Sequence, residues 1–429
     1  MNVKLKNQTV FACNGRNLRR SLLVNLLFCL LVAAGAAKGQ EIFMPRPEFS
    51  LTPPALQEGQ ANQMEVFSPP GAAPGDQHDK PPFEWGPVSL RPHLYYRFLD
   101  GSGIPTAGSN HVSTTIQEIS PGLLFGIGNH WALDYTPTWS FYSNKQFRNT
   151  LDHNVTLTGG AAYEDWVFGL SQNYSSSSEP LVETGTQTDL EIYSTAINAS
   201  RRLNSRMSLD LAINQNFTFA TQFESFREWS TLDWLNYQFW PRLDVAIGVG
   251  LGYDDVETGS DMTYEQFQGR IRWRATDKIS FQLHVGLEDR QFLSGGAGDL
   301  VSPVFGAAIQ YQPFETTTFS LSADRAVTAS LLPNQAAEST SINCNLNQRF
   351  LKRLNLGLGG AYNTTTYVDS SNASTDRTDD YYSFNVRLSC SFLKRGTAAV
   401  FYQKSDNSST APGYTFLSSQ AGLEIGYRY

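Results

Sequence analysis

The sequence has no second long apolar run, and it is poor in the residues that build catalytic and metal sites. After Ser21–Gly35, no stretch approaches the ~20 consecutive apolar residues of a membrane helix. There are four cysteines and six histidines, no histidine has an i, i+4 metal-binding partner, and G-x-S-x-G does not occur. The sequence therefore predicts no membrane helix after residue 39, no metal site, no cofactor and no catalytic residues.

Basic residues are also scarce relative to acidic ones. The chain has 32 Lys and Arg against 40 Asp and Glu, a net charge of −8. Nucleic acid and anionic lipid bind clustered Lys and Arg, so neither is expected to bind through charge. Aromatic residues are abundant, at 13%. A polar chain rich in aromatics is typical of a membrane β-barrel, because half of each strand faces water and aromatics gather at both interfaces.

Residues 1–39 are predicted to form a signal peptide, exporting the chain from the cytoplasm. Basic residues precede the apolar run, and small residues precede a cleavage site before Gln40. An uncleaved anchor helix is the alternative. Residues 40–86 are dense in Pro and Gly, which predicts a flexible or polyproline-like periplasmic arm. A second interpretation places this arm in the lumen of a barrel formed by residues 87–429.

Alternation with a period of two recurs from Val88 onward. In one stretch, Leu243, Val245, Ile247, Val249 and Leu251 alternate with Asp244 and the glycines of G-V-G-L-G. These glycines resemble a nucleotide-binding pattern, but their spacing is wrong and no helix follows. We expect them to leave space inside a barrel or to permit curvature.

Eight short turns separate the predicted hairpins, and they predict an all-β, antiparallel up-and-down transmembrane barrel. Counting two strands beside each turn and one at each end gives 18, an even number, as bacterial barrels require. Three poorly alternating strands leave 16 as an alternative. Short turns then face the periplasm, and nine long loops, from Asp100–Val112 to Lys404–Gly413, face outward. The turns centre on Asn129, Asp165, Asn204, Pro241–Arg242, Asp277, Glu315, Lys352 and Lys394–Arg395.

Several residues conflict locally with this pattern. A closed barrel has no edge strand, yet predicted strands contain proline, which donates no ladder hydrogen bond. Bulges or late strand starts would accommodate Pro92, Pro121, Pro137 and Pro303. Cys344 and Cys390 lie on strands separated by one further strand. This puts them ~10 Å apart, beyond the ~7 Å reach of a disulfide.

The last strand has one apolar and one polar face. Ala421, Leu423 and Ile425 continue into Tyr427 and Tyr429, and the opposite phase carries Glu424 and Arg428. A terminal aromatic resembles the signal that barrel-assembly machinery reads in outer-membrane proteins. We therefore predict that Tyr427 and Tyr429 form a terminal assembly signal.

The polar face of the strands is the candidate functional surface. A column of three arginines at i, i+2 and i+4 would bind carboxylate or phosphate at a constriction. The alternative is a structural ion-pair lattice with nearby acids such as Asp210, Asp244, Glu288 and Glu424. The predicted lumen-facing residues are Arg91, Arg97, Arg270, Arg272, Arg274, Arg387, Glu424 and Arg428.

Outside this surface, the predicted roles are solvation of the loops and anchoring of the barrel in the membrane. The acidic loop residues, Asp254 and Asp255 among them, are expected to be solvated. Aromatic residues near the turns and loops are expected to anchor the barrel at the two interfaces. Those near the loops are Phe141, Tyr253, Tyr264, Tyr362 and Tyr382.

Five short motifs resemble the outer-membrane beta-barrel porin 2 family. They are Leu94–Arg97, Glu118–Gly122, Trp131–Tyr135, His153–Asn154 and the terminal Tyr-Arg-Tyr. This resemblance covers residues 86–429 and implies an association with exopolysaccharide or exosortase gene sets, without catalytic residues.

Together, these features predict a non-enzymatic outer-membrane barrel of a Gram-negative bacterium. It would act as a porin-like passive channel for small hydrophilic solutes or an exported polysaccharide. The alternative is a non-conducting structural barrel whose loops bind matrix or partners. Expected partners are outer-membrane lipid, lipopolysaccharide, the assembly machinery and a polysaccharide.

Overall fold

The structure is a computed structural model that describes residues 83–429 except 107–109, 129, 295–298, 352, 370–376 and 393–394. The predicted signal peptide and residues 40–82 of the arm lie outside the described residues. No helix in the described part of the chain is long and apolar enough to cross a membrane. Its strands are β1 Phe83–Trp85, β2 Val88–Thr106, β3 Asn110–Ile127, β4 Trp131–Tyr142, β5 Thr150–Tyr163, β6 Trp166–Pro180, β7 Gln187–Arg202, β8 Met207–Ala220, β9 Phe226–Trp240, β10 Leu243–Val256, β11 Met262–Arg274, β12 Ile279–Phe292, β13 Leu300–Phe314, β14 Thr317–Ala329, β15 Gln335–Phe350, β16 Leu354–Asp369, β17 Arg377–Phe392, β18 Gly396–Ser409 and β19 Phe416–Arg428.

Strands β2 to β19 form one closed antiparallel barrel. Each pairs with the next along the chain, and β19 pairs with β2 from Ser419↔Ser102 to Arg428↔His93. This confirms the predicted count of 18. The three poorly alternating segments are the full strands β7, β9 and β18, so 16 strands is wrong. The short β1, within the predicted arm, pairs with the first residues of β2.

The two faces of the barrel wall differ as the alternation predicts. In β10, the side chains of Ile247, Val249 and Leu251 are more than half exposed, whereas Ala246, Gly248 and Gly250, on the opposite phase, are buried. An exposed apolar outer face is stable only against lipid or another apolar surface. The buried face holds the polar side chains and is the inner face. The barrel therefore has the chemistry of a membrane-spanning wall.

Short turns connect the strands at one end of the barrel, here called the turn end. Breaks between strands lie at Asp165, Asn204, Pro241–Arg242, Asp277 and Glu315, as predicted. The predicted turn residues Asn129, Lys352 and Lys394 lie outside the described residues. The opposite end is here called the loop end.

The strands extend further toward the loop end than predicted. They have 12 residues in β4 and 19 in β2, so most of the predicted loop Asp100–Val112 is strand. Likewise β18 reaches Ser409, inside the predicted loop Lys404–Gly413. Beyond the lipid, both faces of a strand are in water, and backbone pairing does not require apolar alternation. The hydrogen-bonded ladder therefore continues past the residues that alternate in the sequence.

One interruption of the ladder accommodates two of the prolines within the strands. Pro121 and Pro137 lie where the β3–β4 ladder breaks, before it resumes at Leu123↔Tyr135. Pro92 also lies within a strand, β2.

Pro303 lies on a local edge. The Gln312 N–H donates to the Lys278 carbonyl, toward β12, at 2.8 Å. Successive residues face opposite neighbours, so odd-numbered residues of β13 face β14. The β13–β14 ladder ends at Phe305↔Arg325, before it reaches Pro303. The barrel thus has a short edge where proline is tolerated.

The two cysteines of the described residues do not pair. Cys344 lies in β15 and Cys390 in β17, with β16 between them, and both thiols are free.

Candidate functional site on the inner wall and at the loop end

The glycines of β10 make room for two aromatic rings on the inner face. A Cβ at Gly248 would lie 2.7 Å from a ring carbon of Trp234 in β9. A Cβ at Gly252 would overlap the Tyr264 ring of β11. Both rings therefore lie across β10 from its two sides. The glycines of G-V-G-L-G leave space on the inner face, as expected. Aromatic side chains from the two neighbouring strands fill that space.

Arg270 lies over the first of these rings. Its guanidinium carbon is 4.2 Å from the Trp234 ring centroid, and the side chain is 6% exposed. One Nη donates to the Asn236 side-chain oxygen at 2.7 Å and lies 3.6 Å from an Asp210 carboxylate oxygen. A guanidinium that is stacked, hydrogen-bonded and ion-paired is held in one orientation. The predicted lattice partner Asp210 is present.

The other two arginines of the predicted column lie closer to the turn end. Arg272 donates to the same Asn236 oxygen at 3.4 Å and is half-buried. Arg274, the last residue of β11, is exposed. The three side chains share one face of the strand, but they differ in burial. Only Arg274, the nearest of the three to the turn end, is freely accessible to solvent.

Arg290 of β12 forms a second buried cluster, which the sequence analysis did not single out. Its guanidinium is 4.6 Å from the Tyr264 ring centroid and only 2% of the side chain is exposed. It pairs with Asp254 at 2.7 Å and with Glu288 at 2.8 Å. It also donates to the Val327 carbonyl at 3.0 Å. The β13–β14 ladder ends at Phe305↔Arg325, before Val327. The bond from Arg290 therefore satisfies a Val327 carbonyl that has no partner in β13.

Two expectations are wrong at this cluster. Asp254 was expected in a solvated loop, but it is 3% exposed and ion-paired at the end of β10. Tyr264 was expected in the interfacial girdle, but it is 6% exposed and lies on the inner face. The signal was available in the sequence, because Tyr264 lies six residues from Arg270 and so shares its strand face.

A third cluster closes the seam between the first and last strands. Glu424, 3% exposed, lies 3.6 Å from Arg97 and 2.8 Å from Arg387. Arg97 also lies 3.5 Å from Glu118 and 4.7 Å from the Phe401 ring centroid. The structure thus brings three predicted residues together. It leaves two others, Arg91 and Arg428, exposed at the turn end.

The end of the β14–β15 hairpin crosses the loop end of the barrel, and residues 327–336 are here called the cap. Val327, Ala329, Leu331 and Ala336 are buried against Leu190, Phe226 and Met262, which belong to β7, β9 and β11. Because β7 is seven strands away from β14 around the barrel, residues of the two strands meet only across the lumen. Asn334, at φ 60°, turns the tip of the hairpin, a conformation that asparagine tolerates well.

Glu183 in the β6–β7 loop fastens the cap from the opposite wall. Its carboxylate accepts hydrogen bonds from the Ser330 hydroxyl at 2.7 Å and the Leu331 N–H at 2.8 Å. Burial raises the pKa of the Glu183 carboxyl, and the Ser330 and Leu331 hydrogen bonds oppose this shift. The Glu183 carbonyl accepts a bond from Arg377 at 2.8 Å. The Leu331 carbonyl accepts from the Glu224 N–H at 2.9 Å.

Arg377 of β17 joins the cap contacts to a third part of the wall. Its guanidinium carbon lies 3.5 Å from the Tyr414 ring centroid and 4.7 Å from that of Tyr367. It also pairs with Asp379. The loop end is therefore spanned by a network anchored on at least three sectors of the barrel.

The described part of the chain holds no group of three or more His, Cys, Asp and Glu side chains suited to a metal ion. No protein-family model and no curated protein sequence matches the chain. Among solved structures, it is similar to OccK2 (OpdF) of Pseudomonas aeruginosa, at 11% identity and a TM-score of 0.44, covering 79% of this chain and 98% of that one. It is similar to OccAB2 of Acinetobacter baumannii at 10% identity, with the same TM-score and coverage. At identities this low, function rests on the geometry of this chain's own side chains.

Proposed function

We propose that this chain is a porin-like passive channel, which conducts small hydrophilic solutes or an exported polysaccharide. The observation that carries the proposal is the closed ladder of β2 to β19, apolar outside and polar inside. Such a wall separates lipid from water, and a barrel of this strand number is wide enough to hold an aqueous path.

The cellular setting is part of the same proposal. A β-barrel with an apolar outer face fits the outer membrane of a Gram-negative bacterium, with lipid and lipopolysaccharide around it. Export by a signal peptide, assembly through Tyr427 and Tyr429, and membership of the porin 2 family remain predictions from the sequence.

Solute selectivity is proposed to depend on the arginine column of β11. Arg274 is exposed and Arg272 half-buried, so both are placed to meet a passing anion. Arg270 is bound to Asp210 and Asn236, which fits the structural lattice instead. Replacing all three with Gln should shift the reversal potential toward cation selectivity. Unchanged potentials would assign the whole column to the lattice.

A second function is favoured by the cap. Contacts from Glu183 to Ser330 and Leu331 cross the lumen at the loop end. A lumen fully blocked there would make the protein a structural barrel whose loops bind matrix or partners.

Single-channel recording on the refolded mature chain separates the two functions. We expect ohmic conductance steps from the mature chain or from the chain lacking residues 40–86. Heat-modifiable migration on gels shows independently that the barrel is folded. A folded protein that gives no steps in either form would contradict the channel and favour the structural barrel.

A further inference from the structure

The turn end of the barrel carries a group of exposed arginines on the inner-face phase of five strands. Each lies an even number of residues from a buried inner-face residue of its own strand, as Arg428 does from Glu424. Because these strands are spread around the barrel, the five side chains surround its mouth at the turn end. They are Arg91 of β2, Arg202 of β7, Arg274 of β11, Arg349 of β15 and Arg428 of β19, here called the arginine ring.

Several acids near this mouth are paired with arginines outside the ring. Two of the acids in the short turns pair with arginines outside it: Asp165 lies 3.7 Å from Arg201 and Asp277 lies 3.0 Å from Arg242. Deeper on the inner face, Asp210 pairs with Arg270. The ring thus presents five exposed guanidinium groups at one end of a chain whose net charge is −8.

The chain itself contains a segment of complementary charge next to this surface. Residues 47–82 of the predicted arm contain a single basic residue, Lys80. The segment runs into β1, which pairs with the start of β2 at the turn end. Its five acids are Glu48, Glu58, Glu65, Asp76 and Asp79.

Length permits the arm to reach every arginine of the ring. A polyproline-like chain rises ~3.1 Å per residue, so residues 47–82 span up to about 110 Å. An 18-strand barrel, with strands ~4.8 Å apart and tilted by ~40°, is about 35 Å across. The tether also holds the arm at an effective concentration on the order of millimolar.

We propose that residues 47–82 dock on the arginine ring, the carboxylates of the arm pairing with its five guanidiniums. Guanidinium–carboxylate pairs supply the attachment, and a Pro-rich sequence loses less conformational freedom on docking than other sequences do. This interaction holds whether or not the barrel conducts.

A distance measurement by double electron–electron resonance tests the docking. The full mature chain carries Cys344→Ser and Cys390→Ser, and nitroxides are attached at Ser68→Cys in the arm and Thr316→Cys in a turn beside Arg349. At low ionic strength, we expect a narrow distance distribution below about 35 Å, the barrel width. In 1 M salt, where the Debye length is ~3 Å, it should broaden and lengthen.

Two matched variants decide whether the ring is the docking surface. The first changes the five ring arginines to Gln, and we expect the broad distribution at low salt. The control changes five other turn-end arginines to Gln, and we expect the narrow distribution to remain. The control residues are Arg201, Arg206, Arg242, Arg353 and Arg395.

The remaining outcomes overturn the proposal. A broad distribution in the unsubstituted chain means that the arm is undocked. A narrow distribution in the ring variant means that it docks elsewhere, and broadening in both variants means general attraction to a basic end. Heat-modifiable migration of every variant confirms that the barrel is folded, and the distances are independent of conduction.

Discussion

Replacing Arg290 with Met should destabilise the barrel far more than breaking a surface ion pair. Arg290 is 2% exposed, and its partners Asp254 and Glu288 are 3% and 1% exposed. The substitution leaves two buried carboxylates without a cation, which costs about 3–5 kcal/mol. The matched control is Arg227→Met, because Arg227 pairs with Asp255 at 2.8 Å with both side chains partly exposed. An exposed pair contributes only ~0.2–1 kcal/mol.

Urea titration of the protein folded in vesicles, followed by gel mobility without heating, measures both losses. Adding Asp254→Asn and Glu288→Gln to Arg290→Met should recover much of the stability, because the unpaired charge is the main cost. Equal losses for Arg290→Met and Arg227→Met would refute the reasoning. So would a triple variant less stable than Arg290→Met alone.

Three further predictions test other features. Gly252→Ala should cost about 1–3 kcal/mol because its Cβ overlaps an aromatic ring, whereas Gly269→Ala, with open space around its Cβ, should stay within about 0.5 kcal/mol in the same titration. Burial raises the pKa of the Glu183 carboxyl, so closure of the cap is favoured fully below the usual pKa and weakens as pH rises through the raised pKa. In a chain without native cysteines, the rate at which a thiol reagent labels Leu332→Cys should therefore rise with pH. Part of this rise comes from ionisation of the thiol itself. Adding Glu183→Gln should leave only that part. Pro303→Val should change the free energy of unfolding in the same urea titration by less than about 0.5 kcal/mol, because Pro303 faces a side where the ladder has ended.

The strand count and the turns were predictable because lipid and water impose a period of two. Apolar Ile247 and Val249 with small residues between them fix the inner and outer phases without any tertiary information. The same rule gave Glu424 its inward position, where it meets Arg97 and Arg387.

The cap was not predictable from that rule. Above the lipid band, both faces of a hairpin can be polar, so alternation no longer reports which side is buried. Val327, Ala329 and Leu331 are apolar for a different reason, since they share one buried apolar cluster with residues of β7, β9 and β11. Contacts between residues as far apart as Glu183 and Ser330 depend on barrel closure. A single sequence carries no signal for them.

Uptake of neutral sugars of increasing size into protein-containing vesicles tests the central claim most directly, because it reports a water-filled path regardless of charge. The account predicts swelling faster than in protein-free vesicles for monosaccharides, with a rate that falls steeply as the sugar grows. Folded, heat-modifiable protein, with and without residues 40–86, whose vesicles swell no faster than empty ones would contradict it.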